Sequence, residues 1–181
     1  MSTFVARFGV LIMLDTLITS KTRLRLLVKF FVNAANRGHM RGLAEEFNES
    51  TNAIRKELNN LSEAGYLEKQ ADQNRVSYRA NTQHPLFKSL QDIVHKYLGL
   101  DTIVAKVLDR MGDVRQVVLT GDYAEGRDSG TIDITIVGPA LNTAYLAQLA
   151  PKVKDLVKRE VRFTLSDRKV DRGLVLFERE N

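Results

Sequence analysis

Two short apolar repeats at helical spacing, joined by a polar turn, constrain the fold of the first half of this chain more than any other feature. The first repeat lies in "MRGLAEEF". The second lies in "STNAIRKELNNLSEAGYL", where Ile54, Leu58 and Leu61 recur on one helix face. Ser50 is a suitable N-cap for the second helix, and Gly65 is a suitable stop. The pattern predicts a helix, a tight turn and a second helix whose opposite face is polar.

Further elements flank this pair of helices. "SKTRLRLLVKFFVNAANRG" carries an apolar stripe from Leu24 to Phe31, with Ser20 as N-cap and Gly38 as stop. Two strand-like runs, "YLEKQ" and "RVSYRAN", surround the polar "ADQN" and predict a hairpin. "LFKSLQDIVHKYLG" again has helical spacing, so we expect a helix over residues 83–99 that connects the two halves of the chain.

The second half of the chain alternates between two kinds of element. Helical patterns ("LDTIVAKVLDRMG", "NTAYLAQLA", "PKVKDLVKRE") are interspersed with strand patterns ("VRQVVLT", "TIDITIVG", "VRFTL", "GLVLFE"). Pro151 is expected at a helix break or in a first turn. This order predicts a small α/β sandwich, and the predicted class of the whole chain is α+β.

The excess of positive over negative charge is confined to the first half. The formal net charge is +5, and residues 101–181 hold equal numbers of basic and acidic side chains. The whole excess therefore lies in residues 1–100. If one half binds a polyanion, we expect it to be the first.

Composition excludes several other classes of protein. There is no cysteine, so structural disulfides, zinc–thiolate sites and cysteine nucleophiles are ruled out. The apolar stretch "FVARFGVLIMLDTLI" is shorter than the roughly 20 residues of a membrane span, and Arg7 and Asp15 interrupt it. Its start and flanks do not fit a signal peptide. We therefore expect a cytoplasmic protein without membrane contact, in which this stretch is a buried helix.

The polar face of the second helix has the composition of a DNA-reading surface. In a helix-turn-helix the second helix enters the major groove by its N-terminal turns. Arg reads guanine and Asn reads adenine there, while Ser, Thr and Lys hold phosphates. Arg75, in the hairpin, is expected to reach a neighbouring groove or phosphate. The candidate residues on the helix are Ser50, Thr51, Asn52, Arg55, Lys56 and Asn59. The alternative is that they are ordinary solvated side chains on a helical hairpin.

A family resemblance adds to this interpretation. "SKTRLRLLVKFFVN", "LAEEFNESTNAIRKELNNLSEAGYL" and "YRANTQHPLFKSLQDIVHK" resemble the winged-helix half of a bacterial family related to the ArsR-type regulators. Members of that family join a winged helix to a nucleotidyltransferase-like domain. The resemblance covers about residues 13–166. It implies a three-helix core, a wing at residues 68–80, and binding of a homodimer to double-stranded DNA.

The resulting domain organisation has three parts. Residues 1–82 form a winged helix-turn-helix DNA-binding domain, in which residues 1–12 are an extra N-terminal helix segment. Residues 83–99 form the connecting helix. Residues 100–181 form the small α/β nucleotidyltransferase-like domain.

The catalytic motif of that family can be compared with residues 100–181, in order to predict whether this domain is active. The pattern is a Gly-Ser turn, then Ala-Arg-Gly, a strand with Asp-x-Asp, and a third carboxylate on a later strand. Two Asp residues at i and i+2 point from one face of a strand, so they can share the two metal ions that drive nucleotidyl transfer. Magnesium requires such hard oxygen ligands.

"GDYAEGRDSGTIDITIVG", residues 121–138, keeps the frame of that pattern but loses its chemistry. Asp133 matches the second catalytic Asp, whereas Thr131 replaces the first. Glu125 stands at the position of the Arg, and Asp122 replaces the Ser that helps to hold phosphate. The strand "VRFTL" contains no acid and is only flanked by Glu160 and Asp167. Asp128 has the wrong spacing to restore the site.

We therefore expect a pseudoenzyme domain that serves as a dimerisation or sensor module, with no metal or cofactor. Gly121, Asp122, Gly126 and Asp133 form a candidate remnant for a nucleotide or other small-molecule effector. A purely structural alternative is that the glycines form tight turns and that Asp133 caps or pairs with an Arg. Two functional alternatives stay open: an active magnesium-dependent nucleotidyltransferase with Asp133 catalytic, and an adaptor that binds proteins.

Overall fold

The computed structural model of this chain describes residues 14–127 and 129–180. It is mixed α+β and divides into two compact units between Tyr97 and Leu98. The predicted extra helix segment, residues 1–12, lies outside the described residues. Within them, no helix combines the length and the apolar character that crossing a membrane requires.

The first unit combines helices with a small antiparallel sheet. The strands are ordered β1-β3-β2, and α4 ends at the boundary with the second unit. The elements are α1 (Lys21–Phe31), β1 (Gly38–His39), α2 (Met40–Phe47), α3 (Thr51–Glu63), β2 (Leu67–Asp72), β3 (Arg75–Ala80) and α4 (Phe87–Leu98).

Two of the predicted helix starts are confirmed. The hydroxyl oxygens of Ser20 and Ser50 accept hydrogen bonds from the backbone N–H groups of Arg23 and Ala53, each at 3.1 Å. Each cap satisfies a donor that the first helical turn leaves without an intrahelical partner.

The predicted stop of α1 at Gly38 is wrong, because the helix ends at Phe31. The side chain of Asn36 donates to the backbone carbonyl of Lys29 at 2.8 Å and so satisfies a carbonyl at the helix end. Gly38 instead begins β1. A Cβ there would lie 2.9 Å from the Leu43 side chain, so the glycine permits a close approach of β1 to α2.

α1 packs against α3 and β3. Its predicted apolar stripe is buried, and Leu26 and Phe30 outside the stripe are fully buried as well. From α3, Ile54, Leu58 and Leu61 are buried as predicted. A fully buried Leu or Phe stabilises a fold by roughly 1.5–3 kcal/mol, so this contact holds α3 in place.

The predicted hairpin is confirmed. β2 and β3 pair antiparallel from Leu67↔Ala80 to Asp72↔Arg75. The two residues between the strands make the turn, in which Gln73 has a φ of 52°. Arg75 is therefore the first residue of β3, directly after the turn.

The second unit is built around a four-stranded sheet of order β6-β5-β4-β7. β5 and β6 are parallel, and the other pairs are antiparallel. The elements are α5 (Leu100–Arg110), β4 (Gln116–Thr120), α6 (Gly121–Ala124), β5 (Thr131–Val137), α7 (Thr143–Val157), β6 (Glu160–Ser166) and β7 (Leu174–Glu178).

Pro151 does not mark a break or a first turn, contrary to the expectation from the sequence. It lies inside α7, which continues to Val157. Proline removes one backbone hydrogen bond and crowds the carbonyl four residues earlier. That residue is the exposed Ala147, so its carbonyl can turn toward water.

Strand β5 is buried along its whole length on one face, whereas on the other face only the first two side chains are partly accessible and the last two are buried. Ile132, Ile134 and Ile136 are almost fully buried on one face. Because side chains alternate along a strand, Thr131 and Asp133 lie on the other. That alternation positions the candidate site of the second unit.

Candidate functional site

The first candidate surface lies on α3 and consists of Ser50, Thr51, Asn52, Arg55, Lys56 and Asn59; we call it the α3 surface. All are exposed except Asn59, which is half-buried. Arg55 Nη1 donates to Asn52 Oδ1 at 3.3 Å, which links two side chains one turn apart. The Ser50 oxygen is already engaged as the helix cap.

Of the two acids of α3, Glu63 is exposed at the C-terminal end of the helix, whereas Glu57 is buried and faces away from the α3 surface. The side chain of Glu57 is only 8% exposed, and its Oε2 lies 2.8 Å from Arg23 Nε of α1. Ser20 Oγ donates to the other carboxylate oxygen at 2.9 Å. Burial alone would raise the pKa of Glu57, but the hydrogen bonds from Arg23 and Ser20 and the charge of Arg23 hold that pKa below its ordinary value.

Two more acids near α3 are paired with α1 in the same way. Glu49, in the turn before α3, lies 3.2 Å from Arg25 Nη1 and also accepts a hydrogen bond from Thr22. Glu46 of α2 lies 3.0 Å from the buried ammonium group of Lys29. The cations of α1 therefore neutralise acids that would otherwise lower the positive potential around the α3 surface.

Arg75 lies on the hairpin and not on the α3 surface. It is exposed at the start of β3. Further along that strand Arg79 is paired with Glu68 at 2.8 Å. The structure thus brings six of the seven predicted DNA-contacting residues together on one helix end and places the seventh on the hairpin.

The second candidate site is the turn that follows β4. Gly121 has a φ of +64°, and a Cβ there would lie 2.6 Å from Asp133 Oδ2. The glycine is required for two reasons, the left-handed backbone and the close carboxylate. Gly121 and Asp133 of the predicted remnant are therefore in direct proximity.

Asp122 is paired with Arg127, which is not among the predicted site residues. Arg127 Nη2 lies 2.7 Å from Asp122 Oδ1 and 2.6 Å from Glu125 Oε2. The hydrogen bond from Arg127 lowers the pKa of Asp122. Two carboxylates share one guanidinium, so these three residues keep a net negative charge, which disfavours a phosphate.

Asp133 is paired with an arginine, as the structural alternative from the sequence predicts. The parallel register places Arg162 of β6 directly beside Asp133, and Arg162 Nη1 lies 3.4 Å from Asp133 Oδ1. A cation therefore stands on β6 next to the matched acid. Glu160, one of the flanking acids, forms an ion pair with Lys154.

No group of three potential metal-ligating His, Asp or Glu side chains is found in residues 14–127 and 129–180. Asp128 lies outside the described residues. Two metals in a nucleotidyltransferase require several oxygen ligands that converge. Asp133 with Arg162 beside it does not supply such a set.

A cavity of about 430 Å³ opens near this turn. Its volume is in the range of small-molecule sites. Tyr123 and Gly130 contribute to its lining, and a Cβ on Gly130 would have no atom within 4 Å. The charged lining residues are Lys154, Asp155, Lys158, Arg159 and Glu160.

Three residues that organise these sites were not selected from the sequence: Arg23, Arg127 and Arg162. The role of each arginine follows from the acid with which it is paired. The spacing of five residues between Asp122 and Arg127 in a glycine-rich turn is a usable signal, whereas the pairing of Asp133 with Arg162 depends on the sheet register.

Compared with known proteins, the chain matches no family model, no curated protein and no solved structure.

Proposed function

We propose that this protein is a DNA-binding transcriptional regulator. In this proposal the first unit is a winged helix-turn-helix domain related to the ArsR-type regulators, with α3 as the recognition helix and the hairpin β2–β3 as the wing. The second unit is a nucleotidyltransferase-like domain without catalytic activity. Double-stranded DNA is the partner, and a homodimer in the cytoplasm reads an operator with two-fold symmetry.

The observation that carries the proposal is the separation of charge around α3. Glu57 is buried against Arg23, whereas Arg55 and Lys56 are exposed on the opposite side of the same helix. DNA binding depends strongly on cations that replace the counterions of phosphates. The N-terminal turns of α3, which bury Glu57 and expose Arg55 and Lys56, supply this property, and the exposed acid Glu63 lies at the other end of the helix.

Each residue of the α3 surface has a role in this proposal. Arg55 and Asn52 read base edges, since Arg pairs with guanine and Asn with adenine in the major groove. Thr51 and Lys56 contact phosphates. Ser50 acts first as the helix cap, and the half-buried Asn59 lies at the margin of the contact.

The second unit acts as a dimerisation or sensor module in this proposal. Its turn carries net negative charge, and Arg162 stands beside Asp133 where a metal site would need another acid. Both features oppose binding of a metal–triphosphate complex at Asp133. The cavity of about 430 Å³ supports a sensor role, because it can hold a small effector and Asp133 is not among the residues that line it.

The proposal is tested by titrating a fluorescent duplex selected from a random pool at several salt concentrations. We expect the logarithm of the affinity to fall steeply with the logarithm of the salt concentration. The double variant Arg55→Ala/Arg75→Ala should lose about 2–4 kcal/mol of binding free energy, since one direct contact is worth about 1–3 kcal/mol.

Arg172→Ala is the matched control, because Arg172 is an exposed arginine of the second unit. It should bind like the wild type. Unchanged affinity in the Arg55/Arg75 variant would remove the assignment of α3 and the hairpin.

The competing enzyme hypothesis has its own assay. Labelled nucleoside triphosphates with magnesium or manganese should yield no transfer product with DNA, RNA or protein acceptors. A product that Asp133→Ala abolishes would establish a nucleotidyltransferase and refute the silent-domain proposal.

A further inference from the structure

The two edges of the four-stranded sheet are protected to different degrees. The edge strand β7 has five residues, its pairing with β4 is irregular between Val117 and Val118, and Glu178 at its end is paired with Lys169 at 2.6 Å. Short strands, bulges and charges are the usual protection of an edge. The opposite edge strand, β6, also carries two charged side chains, Glu160 and Arg162, but it has seven residues, no proline and regular pairing with β5 along its whole length.

The outer side of β6 carries backbone groups without a strand partner among the described residues. The carbonyl of Ser166 accepts a hydrogen bond from the N–H of Gly138, directly after β5, at 3.0 Å. The backbone of Ser166 therefore faces β5. Because these groups alternate in direction along a strand, those of Val161, Phe163 and Leu165 face outward.

We propose that a second copy of this chain pairs antiparallel with β6, around a two-fold axis at Phe163. Phe163 then lies opposite Phe163 of the second copy, and Val161 opposite its Leu165. These are the residues whose backbone groups face outward, so each pair can exchange both of its hydrogen bonds. The two sheets become one continuous sheet.

The side chains of β6 are complementary to their own copy in this register. On one face Val161, Phe163 and Leu165 are half-buried, and each meets an apolar side chain across the axis. The other face brings Arg162 opposite Thr164, and Glu160 opposite Ser166. No like charges are directly opposed, which favours a second copy as the occupant.

Pairing through β6 rests on the homodimer of the proposed function and names its surface, but it does not depend on DNA binding. A dimer can form through β6 whether or not α3 reads DNA. Pairing through β6 and recognition of DNA by α3 can therefore fail separately, because one is measured by molecular mass and the other by affinity for a duplex.

The first test changes one exposed residue in two directions. In Thr164→Arg, two arginines oppose each other at both symmetric positions, whereas Thr164→Glu places a glutamate opposite Arg162. Sedimentation equilibrium of the full chain should give a dimer dissociation constant roughly 2- to 30-fold higher for Thr164→Arg, and lower by a similar factor for Thr164→Glu. Gln148→Arg, an equal charge change on exposed α7, should leave the constant unchanged.

The second test uses the absence of cysteine from the chain. In Phe163→Cys the two thiols lie on the axis, where Cα atoms of an antiparallel hydrogen-bonded pair are about 5.5 Å apart, within disulfide range. Mild oxidation should produce a covalent dimer. Leu165→Cys should not cross-link, since its two copies are offset by four residues, roughly 13 Å along the strands.

A monomeric wild type would overturn the proposal. So would a dimer that responds equally to both Thr164 variants, or one that cross-links as readily through Cys at position 165 as at 163. Opposite responses of the two Thr164 variants, together with cross-linking at 163 alone, would establish both the surface and its register.

Discussion

Glu57 in the first unit and Asp122 in the second are each held by an arginine, at 2.8 and 2.7 Å, yet their surroundings differ. The carboxylate of Glu57 is buried between α1 and α3. Asp122 lies on an exposed turn and shares its arginine with Glu125. The carboxylate–guanidinium pair thus stabilises the contact between two helices in the first unit. In the second unit it neutralises only part of the negative charge of the turn.

The two regions differ in the sign of the charge that they expose to a ligand. Near the N-terminal turns of α3, three acids are paired with cations of α1, so the charged side chains that the α3 surface exposes, Arg55 and Lys56, are cationic. At the turn after β4 the acids are exposed, and a single arginine does not neutralise both. This difference in exposed charge is the reason why we propose polyanion binding at α3 and not at the glycine-rich turn.

Removing each acid is the strongest way to break this comparison. Glu57→Ala leaves Arg23 and Ser20 without their buried partner and should lower the free energy of unfolding of the first unit by about 2–4 kcal/mol. Asp122→Ala should cost less than about 1 kcal/mol, since exposed ion pairs contribute little. Urea unfolding followed by circular dichroism, with the two units fitted separately, measures both. Equal losses would contradict the assigned difference in burial.

Gly121→Ala sharpens the account of the second unit. The positive φ and the carboxylate of Asp133 at 2.6 Å from the new Cβ predict a loss of about 1–3 kcal/mol of unfolding free energy. The control is Gly42→Ala in α2, where a Cβ meets nothing within 4 Å; there we expect a gain of up to about 1 kcal/mol. If Asp133 causes part of the loss, Gly121→Ala should cost less in an Asp133→Ala background.

The pH dependence of stability gives a smaller effect. The pKa of Glu57 is lowered in the folded state from its ordinary value of 4.5, so its stabilising contribution is present above that value and is lost as the pH falls through the lower, folded pKa. The melting temperature of the first unit should therefore fall less steeply below pH 4.5 in Glu57→Gln than in the wild type. If the melting temperatures of the variant and the wild type fall equally steeply below pH 4.5, other carboxylates dominate the loss of stability in acid.

Local signals in the sequence predict much of this fold and less of its sites. Ser20 and Ser50 were identified as helix caps because a cap depends on its own side chain and the next turn. The prediction of a helix stop at Gly38 is wrong, since the close contact of Gly38 with Leu43 is tertiary. The prediction of a break or a first turn at Pro151 is wrong as well, because the helix tolerates a proline where the residue four positions earlier, Ala147, is exposed to water.

Local signals in the sequence do not identify the residues with which the acids pair. Glu57 and Arg23 are 34 residues apart and meet only when α1 packs on α3. Asp133 and Arg162 meet because β5 and β6 run parallel in one register, and a shift by one residue would move Arg162 to the other face. The α3 surface was predictable because helical periodicity alone separates its polar side from Ile54 and Leu58.

The most direct test of the central claim, that α3 reads duplex DNA, is to select preferred duplexes for the wild type, Arg55→Ala and Lys56→Ala under identical salt conditions. The account predicts that Arg55→Ala relaxes the preference at one base position of each half-site. It also predicts that Lys56→Ala weakens all duplexes about equally, with a salt slope lower by about one unit. An unchanged preferred sequence with unchanged affinity in both variants would contradict it.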